Sequence, residues 1–244
     1  MSKIEDLETQ NIYLQEVKGF FDQWNIYQKV IQNNYMFHKE IHQVIHKLLL
    51  EHFQQEPFSL LDLGCGDSSL IAETLKYIPI SCYHGIDLSE SALEDAKKKF
   101  ASSSFDIVLS HGDFFEITNQ IKTKFDVIMS GYSLHHLPLW QKDLLFTNCR
   151  KSLNKNGIFL VYDLIKKDDE NRDEYLERYW NNCKNNRKKM TIKELENSRK
   201  HIFEGDFPET IETLNNLASK NGFKQANILY RDPLLLLGLI CWEM

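Results

Sequence analysis

The spacing of apolar residues changes near residue 58, and that change divides the chain. Before it, apolar positions recur at helical intervals. Ile4, Leu7, Leu14, Val17 and Phe21 fall on roughly one face of a helix over 3–23, with charged and amide residues opposite. Trp24-Asn25-Ile26-Tyr27 interrupts the pattern, and Asn33-Asn34 is a break. A second helix is predicted from about Tyr35 to Phe53, with Phe37, Ile41, Val44, Ile45 and Leu48 on its apolar face, and Pro57 closes this helical preface.

From Phe58 onward, short apolar runs alternate with amphipathic stretches. The runs predict strands at 58–63, 80–86, 105–109, 125–130 and 158–163. Between them a helix over about 67–77 buries Leu70, Ile71, Leu75 and Ile78, and one over about 90–100 buries Ala92, Leu93, Ala96 and Phe100. A third, over about 138–153, turns Trp140, Leu144, Leu145 and Cys149 inward, and Asn154 to Gly157 reads as a turn. Ser91-x-x-Glu94 and Thr191-x-x-Glu194 read as capping boxes. Strands separated by helical spans pair in parallel through right-handed crossovers.

Residues 165–205 break this rhythm with Lys, Asn, Glu and Arg. Two surface helices are expected there, about 170–187 and 191–203, the first with an aromatic face of Tyr175, Leu176, Tyr179 and Trp180. A solvated insertion, a lid and a dimer interface all suit that pattern. A helix from Pro208 to Lys220 ends at Asn221-Gly222. The last strands, about 224–230 and 234–242, are joined only by Arg231-Asp232-Pro233, so they form a hairpin. The expected organisation is a helical cap over 1–57, an α/β core over 58–164 and 206–244, and a helical insertion over 165–205.

Composition removes several functions. The 244 residues are 42% apolar and 26% charged, ordinary for a globular protein. The net charge of -6 argues against nucleic acid as a partner, and the cluster Arg187-Lys188-Lys189 is diluted by Asn and surrounded by acids. The longest apolar stretch, Leu234 to Trp242, is too short to span a bilayer, so no membrane is expected as a partner. Five Cys without a C-x-x-C pair, and no secretory signal, read as free thiols in a cytoplasmic, reducing compartment. His38, His42 and His46 have metal-ligand spacing, but each step of four residues turns by about 40°, so they drift from the core edge toward solvent. They read as a polar flank, with His38 nearest the apolar face, and no metal is expected.

In sheets of this kind ligands bind beyond the carboxyl ends of the strands. The residues there are 62–67, Asp87, Asp113 and 130–136. The loop Asp62-Leu63-Gly64-Cys65-Gly66-Asp67 follows the first strand, and its two glycines permit a sharp turn and close approach of a ligand. It lacks the Lys of a Walker loop, and Ser69 leaves a dinucleotide Gly-x-Gly-x-x-Gly incomplete. Asp87 and Asp113 can each serve as a helix or turn cap.

Asp62-x-Gly64-x-Gly66, the acid Asp87 after strand two and the terminal hairpin together resemble the class I S-adenosylmethionine (SAM)-dependent methyltransferases over 58–164 and 206–244. Ser68 stands where that family often has a third Gly. The resemblance implies a Rossmann-like α/β sheet of seven strands, order 3-2-1-4-5-7-6 with strand 7 antiparallel, and S-adenosyl-L-methionine as cofactor. It places Asp62, Gly64, Cys65 and Gly66 at the methionine part of SAM and Asp87 at the ribose hydroxyls. Leu88 then flanks the adenine, Asp113 accepts from its amino group beside Phe114, and Ser130 and Gly131 form the floor. The segment Gly131-Tyr132-Ser133-Leu134-His135-His136-Leu137 faces the methyl group in such enzymes. It lacks the Asp/Asn-Pro-Pro-Tyr/Phe of base amino methyltransferases and looks like the small-molecule members. His135 and Tyr132 are the candidates for catalysis, and Tyr35, His38 and His136 for contact with the acceptor. The activity implied is in-line methyl transfer to a small molecule. A protein- or RNA-directed methyltransferase and a non-catalytic SAM-binding module are the alternatives.

Overall fold

The run Phe58–Leu63 forms β1, buried on both faces: Phe58 and Leu60 point into one layer, Leu61 and Leu63 into the other. A strand covered on both sides is apolar at nearly every position. The computed structural model describes residues 24–244, so the helix expected over 3–23 lies outside the described residues. β2 (Ile80–Asp87), β3 (Asp106–His111), β4 (Phe125–Gly131), β5 (Leu153–Leu164), β6 (Asn227–Arg231) and β7 (Leu237–Glu243) complete a sheet ordered β3-β2-β1-β4-β5-β7-β6. β7 is antiparallel to β5 and β6, and the remaining pairs are parallel. This is the Rossmann-like order expected from the sequence.

The two layers have different origins. One face is covered by Ile41, Ile45 and Leu49 of helix His38–Phe53 and by Tyr175, Leu176 and Tyr179 of helix Arg172–Asn186, with Ile202 of helix Ile192–Gly205. The other is covered by helices Phe114–Gln120, Leu139–Ser152 and Ile211–Lys220. The preface and the insertion therefore share one face of the sheet and meet above the ends of β4 and β5.

Several local expectations are corrected. Trp24-Asn25-Ile26-Tyr27 is itself helical, within Trp24–Gln32, and Asn34 turns to φ 53° just beyond that helix. Ser91 is not the cap of helix Glu90–Lys99. Ser89 is, accepting from the Ala92 amide at 3.3 Å, because Asp87 binds the Ser89 amide and fixes the start two residues earlier. Trp140 and Leu144 are 57% and 40% exposed; the buried stripe of their helix runs one position over, through Leu145, Phe146 and Cys149. β5 begins at Leu153 rather than 158, a register shift opposite Phe125 and Val127 absorbing the turn expected at Asn154–Gly157. The first core helix is short, Ser69–Thr74, and Phe114–Gln120 is a helix the periodicity did not indicate. The Thr191–Glu194 capping box forms as expected.

His38 and His42 are buried rather than a flank drifting outward. The Thr74 hydroxyl donates to the Leu70 carbonyl, so His42 Nδ1–H donates to that hydroxyl at 2.5 Å, and His46 Nδ1 contacts the Thr74 carbonyl at 2.7 Å. These histidines tie helix His38–Phe53 to Ser69–Thr74. All five cysteines are free thiols. No helix among the described residues is long and apolar enough to cross a membrane.

Candidate active site

The site begins with the turn after β1. Gly64 and Gly66 take φ values of 76° and 54°, a region L side chains rarely adopt, and a Cβ on Gly64 would lie 2.7 Å from the Ser133 side chain. The Gly64 and Cys65 amides donate to the Ile86 carbonyl at 2.9 and 3.0 Å, which ties the turn to the end of β2. Asp87 completes the tie. Its Oδ2 accepts from the Gly66 amide at 2.7 Å and its Oδ1 from the Ser89 amide at 2.8 Å. Each oxygen retains acceptor capacity. Burial pushes the Asp87 carboxyl up, and the amide hydrogen bonds pull it back part of the way.

Asp62 is 4% exposed, and its Oδ2 accepts from the Tyr83 hydroxyl at 2.9 Å. Burial lifts its pKa to about 7, against the lowering effect of that hydrogen bond and with Asp87 adding to the rise. A buried carboxylate lifted this far is short of a cation. Asp113 caps helix Phe114–Gln120 by accepting from the Phe115 amide at 2.9 Å, and burial raises it too.

These groups border one cleft of about 870 Å³, as do Cys65, Leu88, Phe114 and Gly131. The expected cofactor residues thus converge, with one correction. Ser130 is fully buried beneath the floor, where its hydroxyl meets that of Ser133 at 2.9 Å, and it does not reach the cleft. Sequence reasoning missed Tyr27 and Ile31, which close the cleft from helix Trp24–Gln32, and Tyr162 of β5. Tyr83, which orients Asp62, carried no signal beyond its place in a strand.

A second cavity of about 470 Å³ adjoins the first, and Tyr27, Tyr132 and His136 border both. Its walls come from the preface (Val30, Met36), from the ends of β4 and β5 (His135, Leu164) and from the insertion (Tyr179, Arg187, His201). Tyr132 sits at the junction with φ 50°, and its hydroxyl donates to the Met36 carbonyl. His135 borders only the second cavity. Its Nδ1 bonds Asp163 Oδ1 and its amide donates to Asp163 Oδ2 at 3.0 Å. Burial pushes the His135 imidazole down, but Asp163 and Asp206 beside it outweigh that and hold it above its ordinary value. His136 is lowered, by burial and by His135.

Two expected acceptor contacts lie elsewhere. The Tyr35 hydroxyl accepts from the Lys189 amide at 3.2 Å and borders neither cavity. His38 is fully buried behind Tyr132, ring centroids 5.0 Å apart, and also borders neither. Arg187, missed as one of a basic cluster, is 6% exposed. Its guanidinium donates to the Tyr179 hydroxyl at 3.0 Å and forms no ion pair among the described residues.

A glycine turn after β1, an acid closing β2 and a sheet ending in an antiparallel pair define a SAM-binding, Rossmann-like methyltransferase. The residues fit that cofactor: an under-compensated carboxylate at Asp62, free acceptor capacity on Asp87, and a Gly64 backbone that a Cβ would block. The comparisons agree. The profile of the "Methyltransferase domain" family matches residues 61–159. An uncharacterised methyltransferase of Bacillus mycoides is 28% identical over 165 residues, 66% of this chain and 74% of that one. Among solved structures, the plantazolicin methyltransferase BpumL in complex with S-adenosylhomocysteine (SAH) superposes with a TM-score of 0.67 at 16% identity, covering 98% of each chain. A cyclopropane synthase of Mycobacterium tuberculosis gives 0.53 at 18% identity; 75% of this chain is covered, and it spans 62% of that longer protein. The methyltransferase domain over 61–159, the methyltransferase relatives and the shared fold together support a SAM-dependent methyltransferase of the class I type, with SAM as cofactor.

Proposed function

We propose that the protein methylates a small molecule held in the second cavity, with SAM in the first. The observation that carries this reading is the junction: the two cavities meet at Tyr27, Tyr132 and His136, and beyond the ends of β4 and β5 the second is walled by the preface and the insertion. When bound, SAM supplies a methyl group on a sulfonium, which needs no acid to leave. The protein's part is to hold the nucleophile in line, a positioning effect worth up to about 7–11 kcal/mol. Asp62 holds the ammonium of the methionine part, Asp87 the ribose diol, and Asp113 with Leu88 and Phe114 the adenine end. Tyr132 walls the junction, and its hydroxyl, already donating to Met36, orients the ring rather than moving a proton.

The acceptor chamber is polar at two places. Arg187 offers guanidinium N–H groups that no carboxylate of the described residues takes, which suits an anionic group on the acceptor. His135 and His136 face the nucleophile's side. Helices Arg172–Asn186 and Ile192–Gly205, within the 165–205 insertion, act as the cover.

Calorimetric titration with SAM, SAH and NAD is the first test. Micromolar binding of the two adenosyl ligands and none of NAD is expected; the reverse would sink the proposal. The affinity for SAM is expected to rise with pH through about 7 and then level off. Below that pH the Asp62 carboxyl of the empty site is protonated and must lose its proton to hold an ammonium, at a cost of up to tenfold per unit. A flat profile between about pH 6 and 8 would remove Asp62 from the ammonium. For the acceptor side, Arg187→Gln is expected to raise KM for the acceptor at least about tenfold and to spare SAM affinity. His135→Ala is expected to spare SAM binding and to slow turnover. An unchanged KM for the first or a normal rate for the second would leave these residues as packing. Methylation of an intact protein or RNA in a lysate with radiolabelled SAM, and of no small metabolite, would replace the proposed acceptor class.

A further inference from the structure

The acceptor chamber contains one cluster that methyl transfer does not require. Asp206 is 2% exposed, and its Oδ1 has no hydrogen-bond partner among the described residues. Three imidazole nitrogens nevertheless stand around it: His135 Nε2 at 3.6 Å, His136 Nδ1 at 3.5 Å and His201 Nε2 at 3.5 Å. An N–H···O hydrogen bond measures about 2.7–3.2 Å, so these distances are too long for one. They match another arrangement. Around a cation with tetrahedral bonds of about 2.0–2.1 Å, neighbouring ligand atoms lie about 3.3–3.4 Å apart. The ligating atoms of His135, His136 and Asp206 all fall within 4.8 Å of one another, and all three residues are buried.

We propose that His135 Nε2, His136 Nδ1 and Asp206 Oδ1 bind a divalent first-row transition ion, zinc being the best fit to this donor set. Nothing in the assignment of the chain as a methyltransferase calls for it.

The surroundings support the assignment. Asp163 holds His135 twice, through Nδ1 and through the backbone amide, and its Oδ1 also accepts from the Leu164 amide at 2.6 Å. With its proton on Nδ1, His135 presents a bare Nε2 lone pair toward Asp206. A carboxylate behind a histidine is the usual outer support of a metal ligand, fixing both tautomer and ring orientation. The short link after the insertion brings Asp206 in: the Phe207 amide donates to the His135 carbonyl at 2.6 Å, and Arg172 holds the Asp206 carbonyl at 2.7 Å. A metal-bound His136 Nδ1 carries no proton, so the Gly205 carbonyl 3.4 Å away is a contact it gives up. Three protein ligands leave one position open to the second cavity, and two histidines with one carboxylate form a set used by catalytic metals. His201, beyond the triad, is the nearest further donor.

The site stands whether or not the second cavity holds the acceptor, and its test is separate from SAM binding. The full-length protein, stripped with chelator, is titrated with Co²⁺ and followed by visible absorption, with Zn²⁺ as competitor. One equivalent is expected to bind in the micromolar range or tighter, with the intense d–d bands of four- or five-coordinate Co²⁺, and to be displaced by Zn²⁺. Asp206→Asn, which keeps the side-chain shape, is expected to weaken this about 100-fold and to abolish the bands, and His136→Gln to do the same. Asp206→Asn, at a residue outside the SAM cleft, is expected to keep binding SAH, and cooperative thermal melting of both variants reports that they are folded. Absence of stoichiometric binding by the wild-type protein overturns the proposal. Binding that survives in both variants overturns it as well, because it then belongs to surface histidines. Loss of SAH binding by the wild type would instead strike the cofactor assignment and leave the metal result untouched.

Discussion

Replacing Asp87 with alanine is expected to weaken SAM binding by about 100-fold or more, on the order of 2.7 kcal/mol. Two losses combine. The carboxylate holds the glycine turn through Gly66 and the start of the next helix through Ser89, at 2.7 and 2.8 Å. Hydrogen bonds to a charged acceptor are each worth about 1.5–3 kcal/mol. Without them the turn is no longer fixed before the ligand arrives, and the ribose loses its acceptors at the same time. Asp87→Asn separates the two effects. An amide keeps one acceptor oxygen, but its NH2 must face the N–H of either Gly66 or Ser89, so one of the two ties fails whichever way it flips. A loss of about tenfold is expected for that variant. Calorimetry with SAH measures both, and wild-type affinity in Asp87→Ala would mean the cleft at the β1 turn is not where the cofactor sits.

What could be read from the sequence, and what could not, follows from how each feature is encoded. The sheet was legible because its central strands are buried on both faces and therefore appear as runs apolar at most positions, Phe58–Leu63 and Phe125–Met129 among them. The antiparallel end was legible because neither the three residues expected between the last strands nor the five found there, 232–236, can carry a crossover. The cofactor cleft was legible because it is built by the strand ends themselves, where position along the chain is position in space. The acceptor chamber has no such shortcut. Asp163, Arg187, His201 and Asp206 come together only because the insertion and the preface pack on the same face of the sheet. Arg187 illustrates the difficulty. It stands beside Lys188 and Lys189, which are exposed, and reads as one more solvated charge. It is the helix-ending residue, with φ -81° and ψ 53°, so helical periodicity does not reach it. Trp140 shows the opposite failure: a large aromatic at an apolar spacing, left 57% exposed because the buried stripe is complete without it.

The largest effect on the fold is expected from Gly131→Ala, a change of one methyl group. Gly131 ends β4 and pairs with Tyr162 on β5. A Cβ there would lie 2.0 Å from Tyr162 Cζ and 2.1 Å from its hydroxyl oxygen, far inside contact distance. The Tyr162 ring has little room to withdraw. It is 8% exposed and is wedged edge-on between His42 and Tyr132, with centroids at 5.4 and 5.1 Å. Either the strands part or the ring swings into the SAM cleft it borders. A destabilisation of about 3 kcal/mol is expected, at the upper end for overpacking. In a domain of this size that lowers Tm by about 6–12 °C. SAM affinity is expected to fall as well. Gly131→Ala combined with Tyr162→Leu is the informative partner experiment, because leucine has no atoms where Cζ and the hydroxyl stood. The double variant is expected to recover most of the lost Tm while remaining weak for SAM, since the wall of the cleft is then truncated. If Gly131→Ala alone melts like the wild type, Tyr162 does not lie over β4, and the wall it gives the SAM cleft goes with it.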